Sequence, residues 1–172
     1  QISYSNFENK PPNAPSGNLV HVEADANVPG YHRIHRCSFQ NLRGDGGDFG
    51  NEPIRLSNGA EAAYASRTVV EYCYWNNTGQ GDSESISVKC RENVIRYCTF
   101  VNNQGGMLVF RNGNDNVAYG NFFIGAGGIR DERRAVEADE QTVRILQRAL
   151  EPPSVRGDQG QHVRRGVALL HA

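Results

Sequence analysis

Four segments of this chain superpose without gaps: residues 32–44 (HRIHRCSFQNLRG), 68–80 (TVVEYCYWNNTGQ), 93–105 (NVIRYCTFVNNQG) and 116–128 (NVAYGNFFIGAGG). Residues 2–9 (ISYSNFEN) fit as a partial copy. Each copy places an aromatic at one position, Phe7, Phe39, Trp75, Phe100 and Phe123, at intervals of 32, 36, 25 and 23 residues. Two residues earlier stand Ser5, Cys37, Cys73, Cys98 and Asn121; two residues later stand Asn9, Asn41, Asn77, Asn102 and Gly125. Matching columns at coil-length intervals are the mark of a solenoid, in which each unit buries a face that no unit can bury alone. The expected fold is all-β, a right-handed parallel β-helix. An antiparallel sandwich also uses short strands, but nothing in that architecture produces the columns.

Each column has a physical reading. Equivalent residues of successive coils lie one strand spacing apart, about 4.8 Å, so like side chains stack. The aromatic column fills the interior. The Asn column stands where the chain turns, because Asn tolerates left-handed backbone and stacked amides can bond one another. The Cys column shares the inward parity of the aromatics; its members read as buried free thiols, with disulfides as the alternative. Cys90 falls outside the column. A second strand line follows each copy: Leu19–Val22, Ile54–Leu56, Ile86–Lys89 and Leu108–Arg111, short alternating runs bounded by Gly and Asn.

The repeat stops near Arg130. Every Asn, every Phe, Trp and Tyr and both lysines precede residue 124, whereas 131–172 is rich in Arg, Ala, Val and Leu. The reading therefore divides the chain into β-helix coils over 1–130 and a tail over 131–172. Val136, Val143, Leu146 and Leu150 share a helical face, and Pro152-Pro153 would stop a helix spanning 133–151. The tail fits either a helical cap or a segment foreign to the coils.

With 172 residues the chain has room for one core. No apolar run approaches the roughly 20 residues of a membrane-spanning helix. Eighteen Lys and Arg against 19 Asp and Glu leave a net charge of -1, which makes no electrostatic case for nucleic acid. The start at Gln1-Ile2-Ser3-Tyr4 lacks a leader and opens directly in a strand, as expected of a piece of a longer protein.

Alternation orients the second strand line. If Ile86 and Val88 point inward, Ser87 and Lys89 point outward; the same parity sends Val109 and Arg111 outward. Lys89 and Arg111 then neighbour each other on successive coils. Repulsion between two cations pushes a lysine toward its neutral form, in which it can act as a base; by themselves they read equally as a solvated pair. Asp82 and Glu84 precede Lys89 by seven and five residues, and Asn51 lies one coil earlier. Carboxylates and an amide carbonyl are hard oxygen donors suited to calcium, or else an ordinary polar turn. Together the set suits β-elimination on a uronic acid, whose C5 proton is hard to remove while the adjacent carboxylate keeps its charge.

The stretches Asn51-Glu52-Pro53-Ile54-Arg55-Leu56, Glu71-Tyr72-Cys73-Tyr74, Asp82 to Asn93 and Phe110-Arg111-Asn112-Gly113 resemble the polysaccharide lyase family of chondroitinase B and the calcium-dependent alginate lyases, family six. The resemblance covers roughly residues 30–130. It implies eliminative cleavage of an acidic polysaccharide, with Lys89 as Brønsted base and Arg111 as Brønsted acid. It further implies that Asn51, Asp82 and Glu84 bind Ca2+ and that Arg55 and Asn112 line the substrate groove. The chain departs from the family pattern in three places: Asp82 stands for the usual Glu, Asn112 for the usual His, and the Lys-to-Arg interval is one residue longer, near Gly105-Gly106. A secreted or periplasmic location follows from the same resemblance. The substrate expected first is alginate, a mannuronate/guluronate polymer, because no cluster of basic residues suggests sulfate recognition; dermatan sulfate (chondroitin B) comes second. The alternative is a non-catalytic β-helix that binds glycan without cleaving it.

Overall fold

The computed structural model describes residues 1–10, 17–28, 30–42, 52–78, 84–103 and 108–125, together with the strands Ile129–Asp131 and Arg144–Leu146. Every strand of two or three residues pairs in parallel with its equivalent one coil away. Three sheets result. The first contains Ile2–Ser3, Arg33–His35, Val69–Glu71, Val94–Arg96, Val117–Tyr119 and Arg144–Leu146. The second contains Asn6–Glu8, Ser38–Gln40, Tyr74–Asn76, Thr99–Val101 and Phe122–Ile124. The third contains Val20–Val22, Ile54–Leu56, Ile86–Val88, Leu108–Phe110 and Ile129–Asp131. The chain is a parallel β-helix, as the columns require.

Two strand lines were expected and three sheets are present. What reads as one strand in each repeat copy is two, divided by a corner residue with left-handed backbone: Tyr4, Arg36, Tyr72, Tyr97 and Gly120, with φ of 51, 53, 53, 54 and 64°. Tyr and Arg carry no sequence signal for that conformation. Coil stacking stabilises it, since each corner N–H reaches the next coil, Arg36 to the Glu71 carbonyl at 3.2 Å and Tyr72 to the Arg96 carbonyl at 3.3 Å. Their side chains add to this, with Tyr72 stacked on Tyr97 at 5.2 Å and the Arg36 guanidinium over both Tyr4 and Tyr72. The expected Asn corner is present: Asn9, Asn41, Asn77 and Asn102 all have positive φ, and Asn77 Nδ2 donates to Asn41 Oδ1 at 2.9 Å.

The interior is organised around the aromatic column. Phe7, Phe39, Trp75, Phe100 and Phe123 stack face over face, with centroids 4.9, 5.1, 4.6 and 4.8 Å apart and planes within 12°. Cys37, Cys73 and Cys98 lie buried beside it, and all four cysteines are free thiols. A buried amide column escaped the sequence reading: Asn93 Oδ1 accepts from the Thr68 N–H at 3.1 Å, and Asn116 Oδ1 accepts from the Asn93 N–H at 2.9 Å. Within the first sheet, Glu71 ion-pairs with Arg33 from one neighbouring coil and Arg96 from the other.

Two described strands extend beyond Arg130. Ile129–Asp131 pairs with Leu108–Phe110, and Arg144–Leu146 pairs with Val117–Tyr119 in register Ala118 to Ile145. Within the span 133–151, where a helix was expected, residues 144–146 form a strand, as the open edge of the first sheet offers unpaired N–H and C=O groups. The rest of that segment lies outside the described residues. No helix among the described residues is long and apolar enough to cross a membrane.

Removing one ring from the stack leaves a cavity bounded by two others. Phe100→Ala is expected to lower the unfolding free energy by about 3–5 kcal/mol. Trp75→Phe should cost less than about 1.5 kcal/mol, since it keeps a ring in the column and removes the buried Trp75 indole N–H, which has no hydrogen-bond partner among the described residues. Urea unfolding of both variants checks the ranking; equal losses would show that ring stacking does not govern stability here.

Candidate active site

The third sheet positions the residues singled out for chemistry. Ile54, Leu56, Ile86, Val88, Leu108 and Phe110 are fully buried against the interior stack. Between them Arg55, Ser87 and Val109 stand in register on the opposite face. Ser87 and Val109 have the outward parity expected, yet both are fully buried, whereas Arg55 in register with them is partly exposed.

Lys89 and Arg111 each follow their strand by one residue and remain in the ladder. The Lys89 N–H donates to the Leu56 carbonyl at 2.9 Å, and the Arg111 N–H donates to the Val88 carbonyl at 2.8 Å. They occupy equivalent positions of successive coils, as the alternation requires. Two residues before the strands Ile54–Leu56 and Ile86–Val88 come Glu52 and Glu84, also equivalent, because Ile54 is in register with Ile86. The four charges interlock by a one-coil stagger. Glu52 Oε1 lies 3.8 Å from Lys89 Nζ, and Arg111 Nη1 donates to Glu84 Oε1 at 2.9 Å. Side-chain exposure is 5% for Glu52, 2% for Glu84, 14% for Lys89 and 35% for Arg111. The acids form the floor and the cations rise from it.

Burial and the nearby Arg55 guanidinium hold the Lys89 amine below the ordinary lysine range, with Arg111 acting in the same sense; Glu52 and Glu84 oppose this without cancelling it. Burial and repulsion from Glu52 push the Glu84 carboxyl up, against the backbone N–H and Arg111 that stabilise its charge. A buried carboxylate next to a second one is a site that gains from added positive charge, and carboxylate oxygens are the donors a hard divalent cation takes. Glu84 fits that role. Asn51 and Asp82, the other two expected donors, lie outside the described residues, and among the described residues no group of three acids, histidines or cysteines gathers as a metal cluster.

The two expected groove residues approach one turn. Arg55 Nε donates to the Ser57 carbonyl at 3.2 Å, and its Nη2 bonds Asn58 Oδ1. Asn58 precedes the short 3-10 turn Gly59–Glu61, and a Cβ on Gly59 would stand 3.6 Å from Asn112 Oδ1. Gly113 follows with φ of 79° over the Cys90 carbonyl, where any Cβ would come within 2.4 Å, so the Arg111-Asn112-Gly113 turn admits only glycine there.

Glu52 and Asn18 were missed. Asn18 is the same position one coil earlier, two residues before Val20, and its Nδ2 donates to Glu52 Oε2 at 2.7 Å. Aligning the third-sheet strands as columns, as was done for the aromatics, would have exposed Asn18, Glu52 and Glu84 as one line.

Because the chain has two lysines, Lys10 and Lys89, the amine of Lys89 can be followed by NMR of isotope-labelled lysine. Its titration midpoint is expected below the roughly 10.4 of a free lysine side chain, and Arg55→Met should move it upward by removing a positive neighbour. A midpoint at or above the free value would show that burial and the two guanidiniums do not act as described.

Comparison with known proteins identifies a family and a similar solved structure. The family model described as Chondroitinase B matches residues 1–131. A solved structure described as a mannuronic acid specific polysaccharide family 6 lyase enzyme from human gut microbiota is similar at 30% identity and a TM-score of 0.61, over 70% of this chain and 26% of that one. The chain thus spans about a quarter of the length of that structure. No curated protein matches.

Proposed function

This chain belongs to the chondroitinase B family, and from that premise we propose that it cleaves a uronic-acid polymer by β-elimination, with Lys89 and Arg111 at the reacting bond. The observation that carries the proposal is the pair itself: a largely buried amine held below its ordinary range and a guanidinium one coil away, both above buried carboxylates. Lys89 in its neutral form takes the C5 proton. The C5–H electron pair becomes the C4=C5 double bond, and the bond from C4 to the bridging oxygen breaks. Arg111 faces the departing oxygen and acts chiefly through its charge, since a guanidinium is a poor proton donor at its ordinary pKa, and a water that it orients gives that oxygen its proton. Calcium held by Glu84 with Asn51 and Asp82 would neutralise the substrate carboxylate, which acidifies the C5 proton. Arg55 and Asn112, on either side of the turn at Gly59, bind the sugar chain.

Alginate is the substrate proposed first. The similar solved structure is described as mannuronic acid specific. Arg91, two residues after Lys89, is already paired with Asp115 at 2.7 Å rather than held ready for a sulfate. Dermatan sulfate remains the second choice. Action on an extracellular acidic polymer places the protein in the periplasm or outside the cell.

The test is ultraviolet absorbance of the unsaturated uronate formed from alginate and from dermatan sulfate, with calcium and with chelator. Product is expected from alginate in calcium, and chelation should suppress it. Lys89→Ala should lower the rate by roughly a hundredfold or more, as loss of a positioned base does. A folded preparation that releases no unsaturated product from either polymer would overturn the lyase reading, and an active Lys89→Ala variant would overturn the assigned base.

A further inference from the structure

Of the column Asn18, Glu52 and Glu84, only Glu84 has a part in the reaction above. Glu52 is as deeply placed. Its Oε2 accepts from Asn18 Nδ2 at 2.7 Å, and the same nitrogen reaches the Glu52 carbonyl at 3.2 Å. Its Oε1 is 3.8 Å from Lys89 Nζ, an ion pair rather than a hydrogen bond. A buried carboxylate is costly unless a partner compensates it, and Lys89 is the cation that does so. The lysine has the converse need. Its stem carries several rotatable bonds, and Arg55 and Arg111 both repel its ammonium. Glu84 is a poor substitute, because its Oε1 is taken by Arg111.

We propose that Glu52, anchored across the coil boundary by Asn18, is the positioning residue of Lys89: its carboxylate holds the amine in place and stabilises the charge the amine acquires on taking a proton. The proposal rests on the lyase reading for its catalytic half. As the C5–H bond breaks, its electron pair enters the C4=C5 double bond, the bond from C4 to the bridging oxygen breaks, the proton passes to Nζ, and the neutral amine that acts as base becomes the ammonium that Glu52 compensates. An interaction that strengthens only in the transition state acts on kcat and leaves KM alone.

Glu52→Gln keeps the shape and the bond from Asn18 while removing the charge. Its kcat should fall roughly 10- to 100-fold, as for other partners that orient a catalytic group, with KM within about twofold of the parent. Glu52→Asp should recover part of the loss, and Asn18→Ala, which leaves both charges in place, should show a smaller fall in the same direction. A readout independent of turnover uses the two lysines: Glu52→Gln should narrow the Lys89 side-chain NMR signal as the amine gains motion, and leave the Lys10 signal unchanged. An unchanged Lys89 linewidth in both Glu52→Gln and Asn18→Ala, or a loss that falls on KM, overturns the proposal. If the parent chain releases no product while the Lys89 signal still responds to Glu52→Gln, the lyase reading fails and the positioning contact stands.

Discussion

Face-to-face stacking of one aromatic per coil is the interaction on which the rest of this structure depends. Strands of two or three residues contribute too few ladder hydrogen bonds to hold a sheet alone, and each coil by itself has nothing against which to bury its rings. The column from Phe7 to Phe123 supplies both needs, because rings about 5 Å apart match the strand spacing and tie every coil to its neighbours. Once those rings are in register, the backbone of each coil is placed against the next to within a residue. The left-handed corners at Tyr4, Arg36, Tyr72 and Tyr97 are then tolerated, since each of their N–H groups finds a carbonyl one coil away.

The same register builds the site. Glu52 and Glu84 share a position two residues before a strand, and Lys89 and Arg111 share one just after it. Each acid therefore meets the cation of the following coil, and a staggered row of charges forms without any loop having to fold around it. Like charges on neighbouring rungs would be unfavourable in isolation. Interleaving compensates them, and burial, together with the repulsion that remains, holds the amine below its ordinary range and the Glu84 carboxyl above it. A repeating scaffold thus turns small sequence differences between coils into local electrostatics.

Much of this was legible in the residues. The aromatic, Cys and Asn columns recur in order, so fold class and inward parity follow from side chains alone. Lys89 and Arg111 came from the same parity, and the structure brings them to equivalent positions. The third sheet was hidden, because the corners that divide the repeat copies use Tyr and Arg, residues without a turn signature. Asn18 and Glu52 were hidden for a related reason: each is an unremarkable polar residue before a strand, and its meaning comes from the residue one coil away. The strand at Arg144–Leu146 lies in a segment whose apolar spacing favours a helix, and an open sheet edge overrides that local preference.

The sequence by itself determined that the chain coils, which rings fill the coil and which two cations share a face, since these depend on periodicity that every copy repeats. The tertiary structure alone decided how many sheets a coil contains, that the outward Ser87 and Val109 are buried, and that Lys89 is tied to Glu52 and Arg111 to Glu84. Those outcomes turn on contacts between residues 27 to 37 positions apart, whose pairing is set by coil register and by the reach of individual side chains. Local pattern encodes the first kind of fact, and packing at close range creates the second.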